Sequence, residues 1–139
     1  MTGFKFAYTV SGSAPMIVDF PLAANTITAV GEIMNLESGY LDEGATADTG
    51  LVGVALEVQD NTGGSAGDLN AKCIANPDAV YAVADANARL AGATLDLASG
   101  ALAVTTSSNT DLIVVAPSTA TEDTLVMIIH TSHYLGAAV

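Results

Sequence analysis

At about 150 residues per domain, 139 residues make one domain and leave no room for a second of ordinary size. Half of them are hydrophobic, which excludes wholesale disorder, yet only seven are aromatic and none is Trp, so the packed layers must be thin. Fifteen Asp and Glu against Lys5, Lys72 and Arg89 give a formal charge of −12, and a chain so short of cations is not built to hold nucleic acid or an anionic membrane.

The elements follow in chain order. Phe4, Phe6, Tyr8 and Val10 share one parity, the two-residue alternation of a strand. The Ser-Gly-Ser-Ala-Pro run from Ser11 to Pro15 is the spacer that would let this segment swing as an arm over residues 1–14, ahead of a single domain over 15–139. Met16 to Phe20 is the next strand, stopped by Pro21. Ile27 to Leu36 is extended and interrupted at Gly31, and Ser38-Gly39 turns the chain into Tyr40 and Leu41. Leu51 to Val58 is the clearest strand, with Val52, Val54, Leu56 and Val58 on one face. The polar stretch Asp60 to Asp68, with three glycines, is a loop.

Beyond it, Leu69 to Ala75 and Val80 to Ala84 are short strands about the turn Asn76-Pro77-Asp78. Leu95 to Leu97 and Ala101 to Thr105 form a hairpin over Ala98-Ser99-Gly100. Leu112 to Ala116 ends at Pro117, and the last strand runs from Leu125 to about Thr131. Helix is predicted in two places, the Ala-rich Asp78 to Ala91 and the capping-box-like Ser118 to Glu122. The fold class is therefore mainly β, a β-rich α+β domain with one or two short helices and an extended N-terminal arm. The N-terminus lacks the continuous apolar run of a signal peptide, and the five apolar residues Leu125 to Ile129 fall far short of the ~20 that span a bilayer.

Several constellations imitate reactive chemistry. Gly63-Gly64-Ser65-Ala66-Gly67 satisfies G-x-S-x-G, and Asp96 or Asp111 and then His130 or His133 follow in the chain order of a serine hydrolase. Such a serine must stand on a strained turn between strand and helix, whereas Asp68 to Cys73 alternates like a strand. His130 and His133 have H-x-x-H spacing, but three residues along a strand place them on opposite faces, which does not chelate one metal. The Asp60 to Asp68 loop matches neither an EF-hand nor a glycine-aspartate calcium repeat, and no phosphate-cradling glycine motif occurs. Cys73, alone, forms no internal disulfide and is read as a buried hydrophobe. No cofactor and no metal are expected. Phe4, Phe6 and Tyr8 instead suit strand addition to a partner's sheet edge, with the first strand of the domain's own sheet as the competing reading. Lys72 and Arg89, rare cations on an acidic chain, are candidates for pairs between subunits.

The run Thr26-Ile27-Thr28-Ala29-Val30-Gly31-Glu32-Ile33-Met34-Asn35-Leu36-Glu37-Ser38-Gly39, followed by Gly50-Leu51-Val52-Gly53-Val54-Ala55-Leu56-Glu57, resembles the head decoration (cement) proteins of tailed bacteriophages. The likeness covers mainly Ile27 to Ile74, about a third of the chain, and the stretch Leu90 to Gly100 also looks like capsid-accessory sequence. It implies a β-tulip, barrel-like domain and a mechanical role. Such proteins sit as homotrimers at three-fold positions on the outside of the expanded shell, bridge major capsid subunits, and stabilise the shell against the pressure of packaged DNA. The implied location is the outer surface of the virion, after synthesis in the host cytoplasm. By position, residues 1–14 would be the capsid-binding arm, with Phe4, Phe6 and Tyr8 as anchors. Two other classes remain as alternatives: the small serine hydrolase through Ser65, and a receptor-binding or fibre-attached β-module, for which four tyrosines and no Trp are a poor allotment for stacking on sugars.

Overall fold

Short runs of Val, Ile, Leu and Tyr between Gly, Asn and Pro turns pair into antiparallel sheets, and a computed structural model describes residues 3–98, 100–106 and 109–136 of the result. Among the described residues, eleven strands form three sheets. The largest contains β1 (Lys5–Thr9), β7 (Ala79–Val83), β11 (Thr124–Ile128), β10 (Leu112–Val114), β8 (Thr94–Leu97) and β9 (Val104–Thr106), side by side in that order. β2 (Ile17–Pro21) pairs with β6 (Asn70–Ile74), and β3 (Ile33–Glu37) lies between β4 (Tyr40–Glu43) and β5 (Leu51–Val54). The chain is mainly β, as expected.

Two hydrophobic clusters hold the sheets together, and the three-stranded sheet feeds both. Ile33, Leu51 and Val54 pack with Phe4, Tyr81, Leu95, Leu112, Val126 and Ile128 of the large-sheet side. Their chain neighbours Met34, Val52 and Ala55 pack with Phe20, Leu22, Leu41, Ala71 and Cys73. Period-two alternation sends Ile33 and Met34 of β3 into opposite cores, whereas in β5 an irregularity in the pairing with Met34 and Asn35 shifts the alternation, so Leu51 and Val54 share the first core and Val52 and Ala55 the second. Gly53 sits between the cores at φ +149°, and a Cβ there would collide with the Ile74 carbonyl and the Tyr81 hydroxyl. The small residue permits the close approach of β5 to β6.

Turn chemistry is as the sequence indicates at Ser38-Gly39, where both residues take positive φ (53° and 87°) and Glu37 faces Tyr40 across a tight hairpin. Four expectations are corrected. The Ala-rich stretch from Asp78 is β7 and then loop, because Val80, Tyr81 and Val83 are buried and the strand is paired on both sides, by β1 and β11; that pairing overrides Ala's helical preference. Ser118 to Glu122 keeps one bond of a capping box, Thr119 N–H to Glu122 Oε1 at 2.8 Å, without a helix behind it. The only helical element among the described residues is a 3-10 turn, His130–Ser132, which also ends the last strand earlier than predicted. β5 stops at Val54, and the single face predicted for Val52, Val54, Leu56 and Val58 does not form: Val52 and Val54 enter different cores, and Leu56 and Val58 lie outside both. Ser99, in the predicted turn Ala98-Ser99-Gly100, lies outside the described residues.

Candidate functional site

The N-terminal segment is built into the domain. β1 pairs with β7 in antiparallel register, Lys5 with Ala82 and Thr9 with Ala79, and a bulge falls between Phe6 and Tyr8. Phe4 is 1% exposed inside the first core, held by its N–H on the Gly31 carbonyl at 2.8 Å. Phe6 is half-buried and meets Tyr81 edge to face, 6.5 Å between ring centres. Only Tyr8, 43% exposed, presents its ring to solvent. The spacer is pinned as well: Ser11 N–H bonds Asp78 Oδ2 at 2.9 Å, Gly12 N–H bonds the Thr9 carbonyl at 3.0 Å, and Thr9 Oγ1 donates to the Ser13 carbonyl at 2.7 Å. In the free chain this segment is therefore an edge strand of its own sheet, and the bulge shifts its alternation so that Tyr8 faces solvent while Thr9 is buried.

The hydrolase constellation does not assemble. Ser65 lies in the exposed loop between β5 and β6, its N–H on Asp68 Oδ2 and its carbonyl taking Asn61 Nδ2–H. His133 is buried elsewhere, against the Val52 carbonyl at 3.0 Å, and its Nδ1 accepts the Leu135 N–H. That acceptor role puts the ring proton on Nε2, so both nitrogens are committed to backbone, and burial lowers the imidazole's pKa. His130 is exposed at the start of the 3-10 turn, so the two histidines do not converge.

Asp111 is fully buried as a backbone brace: Oδ1 takes the Ala47 N–H and Oδ2 the Leu97 N–H, each at 2.9 Å. The opposite Asp96 takes the Asn109 N–H. These carboxylates stitch loops to β8 and have no part in proton transfer to Ser65.

Other reactive types are equally occupied. Burial pushes the Cys73 thiol up to about 12, far from a nucleophilic thiolate. Arg89 forks onto Asp85 at 2.6 and 3.2 Å, and Lys72 faces Asp19 at 3.9 Å, so both of these cations pair within the chain. A shallow cleft of about 460 Å³ is lined by Asn35, Glu37, Asp48, Thr49 and Tyr134 among others, and none of the sequence-predicted catalytic residues reaches it. Among the described residues, no three His, Cys, Asp or Glu gather as a metal site, and no helix is long and apolar enough to cross a membrane.

Two features were not singled out by sequence. Glu32 is 6% exposed, its Oε1 has no hydrogen-bond partner, and burial together with Glu43 and Asp42 raises its carboxyl to about 7. An acid directly after a glycine and before Ile33-Met34 was the available signal. The second is a ribbon of two segments, 26–32 and 55–61, the first of which turns at Val30-Gly31. Thr28 N–H meets the Gln59 carbonyl at 2.9 Å, Gly31 N–H meets the Ala55 carbonyl at 3.0 Å, and Ile27 stands opposite Asp60. It carries Ile27, Val30, Leu56 and Val58, all exposed. A surface of this kind binds by area and shape and performs no chemistry.

Comparison with known proteins finds no matching family model and no matching curated protein. Among solved structures, the N base of the head fiber gp8.5 in bacteriophage phi29 has a similar fold, with a TM-score of 0.52 at 15% identity, over 81% of this chain and 94% of that one.

Proposed function

We propose that this chain is a structural protein of a bacteriophage head, which binds the outside of the expanded capsid and stabilises it. The observation that carries the reading is the fold shared with the phi29 head-fiber base over nearly all of that chain. Two further facts support it. The sequence-predicted catalytic residues are separately committed to backbone bonds or solvent, and the likeness to head decoration proteins rests on Ile27 to Ile74, which includes β3, β4 and β5. In the finer reading the chain is a homotrimer at three-fold positions, bridging major capsid subunits. Three equivalent contacts then give avidity beyond any single one. Of the anchors in residues 1–14, Tyr8 can meet the shell from the edge of β1 with no rearrangement, whereas Phe4 would have to leave the core. The virion's outer surface is the corresponding location.

The phi29 match favours a second reading within the same class, a base module that seats a head fiber. Co-sedimentation of the purified chain with expanded and unexpanded heads made without it tests the common claim. Pelleting with expanded heads is expected, and a chain left in the supernatant by both would overturn it. Cryo-electron microscopy of the decorated heads separates the two readings, a low three-fold knob against the foot of a projecting fiber.

A further inference from the structure

We propose that the ribbon of residues 26–32 and 55–61 is the face that meets the head, and that it takes a protein surface with an apolar centre rimmed by lysine and arginine. This rests on the head-binding reading. Ile27, Val30 and Val58 are 51 to 64% exposed, and Leu56 joins them. Val30 and Gly31 form the tip of a turn closed by Glu32 N–H on the Ala29 carbonyl, so Val30 projects at an apex. Four apolar side chains on two hydrogen-bonded segments make a patch, unlike the solitary exposed Leu90. Backbone bonds fix the patch in the free chain, so binding here orders little.

Charge chooses the occupant. The ribbon lies wholly within the stretch from Phe6 to Ala71, which has nine acids and no base. Around the patch stand Glu57, Asp60 and Asp19; of the cations nearby, the Lys72 ammonium already faces Asp19, and Lys5 follows Phe4, whose N–H bonds the Gly31 carbonyl. Hydrogen bonds from the Thr62 hydroxyl and N–H keep the Asp60 carboxyl below its usual range, so its charge persists at neutral pH. A second copy would bring the same acidic rim on a molecule of charge −12, whereas a basic rim is complementary.

The test is titration of heads made without the chain, read by pelleting, with the wild type, Val30→Lys/Val58→Lys and Val30→Glu/Val58→Glu. The lysine pair is expected to weaken binding at least tenfold and the glutamate pair less, and wild-type binding should fall as NaCl rises from 50 to 500 mM. Both pairs should melt with the wild type, because the valines are exposed; if either melts early, Val30→Ser/Val58→Ser replaces it, with a several-fold loss expected. Equal binding by wild type and variants overturns this proposal and leaves head binding standing. Losses as large for glutamate as for lysine overturn the basic rim. A variant that dissociates an oligomer of the free chain in sedimentation velocity assigns the face to a second copy and also overturns it. Failure of the wild type to pellet removes the head-binding reading, and this proposal with it.

Discussion

Glu32 is the residue at which this fold opposes its own chemistry. Its carboxyl is buried with one oxygen unpartnered and with Glu43 and Asp42 nearby, so the charged form is disfavoured and the folded-state pKa rises from 4.5 to about 7. Between those values the folded chain holds a proton that the unfolded chain has lost. Stability from this group is therefore full below about pH 4.5 and is lost as pH rises to about 7. Glu32→Gln keeps the shape and removes the charge. The variant should be more stable than the wild type at pH 8, by roughly 1–3 kcal/mol, and the gap should close towards pH 5. Urea unfolding of both proteins at the two pH values checks this; a pH-independent gap would assign the effect to packing. The buried Asp111 shows the opposite arrangement, since each of its oxygens receives a backbone N–H. Two acids with like burial thus differ in how many backbone donors they meet, one for each oxygen of Asp111 against Ala29 alone for Glu32, which residue type alone does not reveal.

At the scale of the element, β1 was the ambiguous one. Alternating aromatics followed by a flexible spacer describe equally an arm for a partner's sheet and the first strand of the chain's own. In the free chain Lys5 to Thr9 lies along Ala82 to Ala79, and Phe4 fills the first core. Removing residues 1–14 should therefore destabilise the domain by about 3 kcal/mol or more, the usual cost of emptying a Phe site, as well as exposing the edge of β7. A lowered urea midpoint is expected. An unchanged midpoint would mean that β1 is dispensable to the fold and free for use as an arm. The bulge between Phe6 and Tyr8 interrupts the regular outer edge of β1 and so discourages unspecific strand pairing there.

For the whole molecule, the dominant quantity is net charge. Fifteen acids on one small domain repel one another, and among the described residues the exposed ion pair is Lys72 with Asp19 at 3.9 Å, worth under ~1 kcal/mol. Screening should consequently stabilise the free chain: raising NaCl from 20 to 300 mM should raise Tm by a few degrees. Binding to a basic surface should weaken over the same range, so stability and attachment respond to salt with opposite signs. A Tm that falls with salt would show that attractive pairs outweigh the repulsion.

Composition and periodicity by themselves determined that the chain is a single β domain, and the Gly, Asn and Pro punctuation located most of its strands, because two-residue alternation and turn chemistry are local properties. They also set the strong acidity that orients the binding argument. Only the tertiary structure decided that Ala79–Val83 is a strand between two others, that Leu56 and Val58 lie outside the core, that Ser65 and His133 never meet, and that Glu32 is buried without a full set of partners. Each of these depends on which distant segment lies alongside, and pairing between residues tens of positions apart leaves no trace in a window of ten.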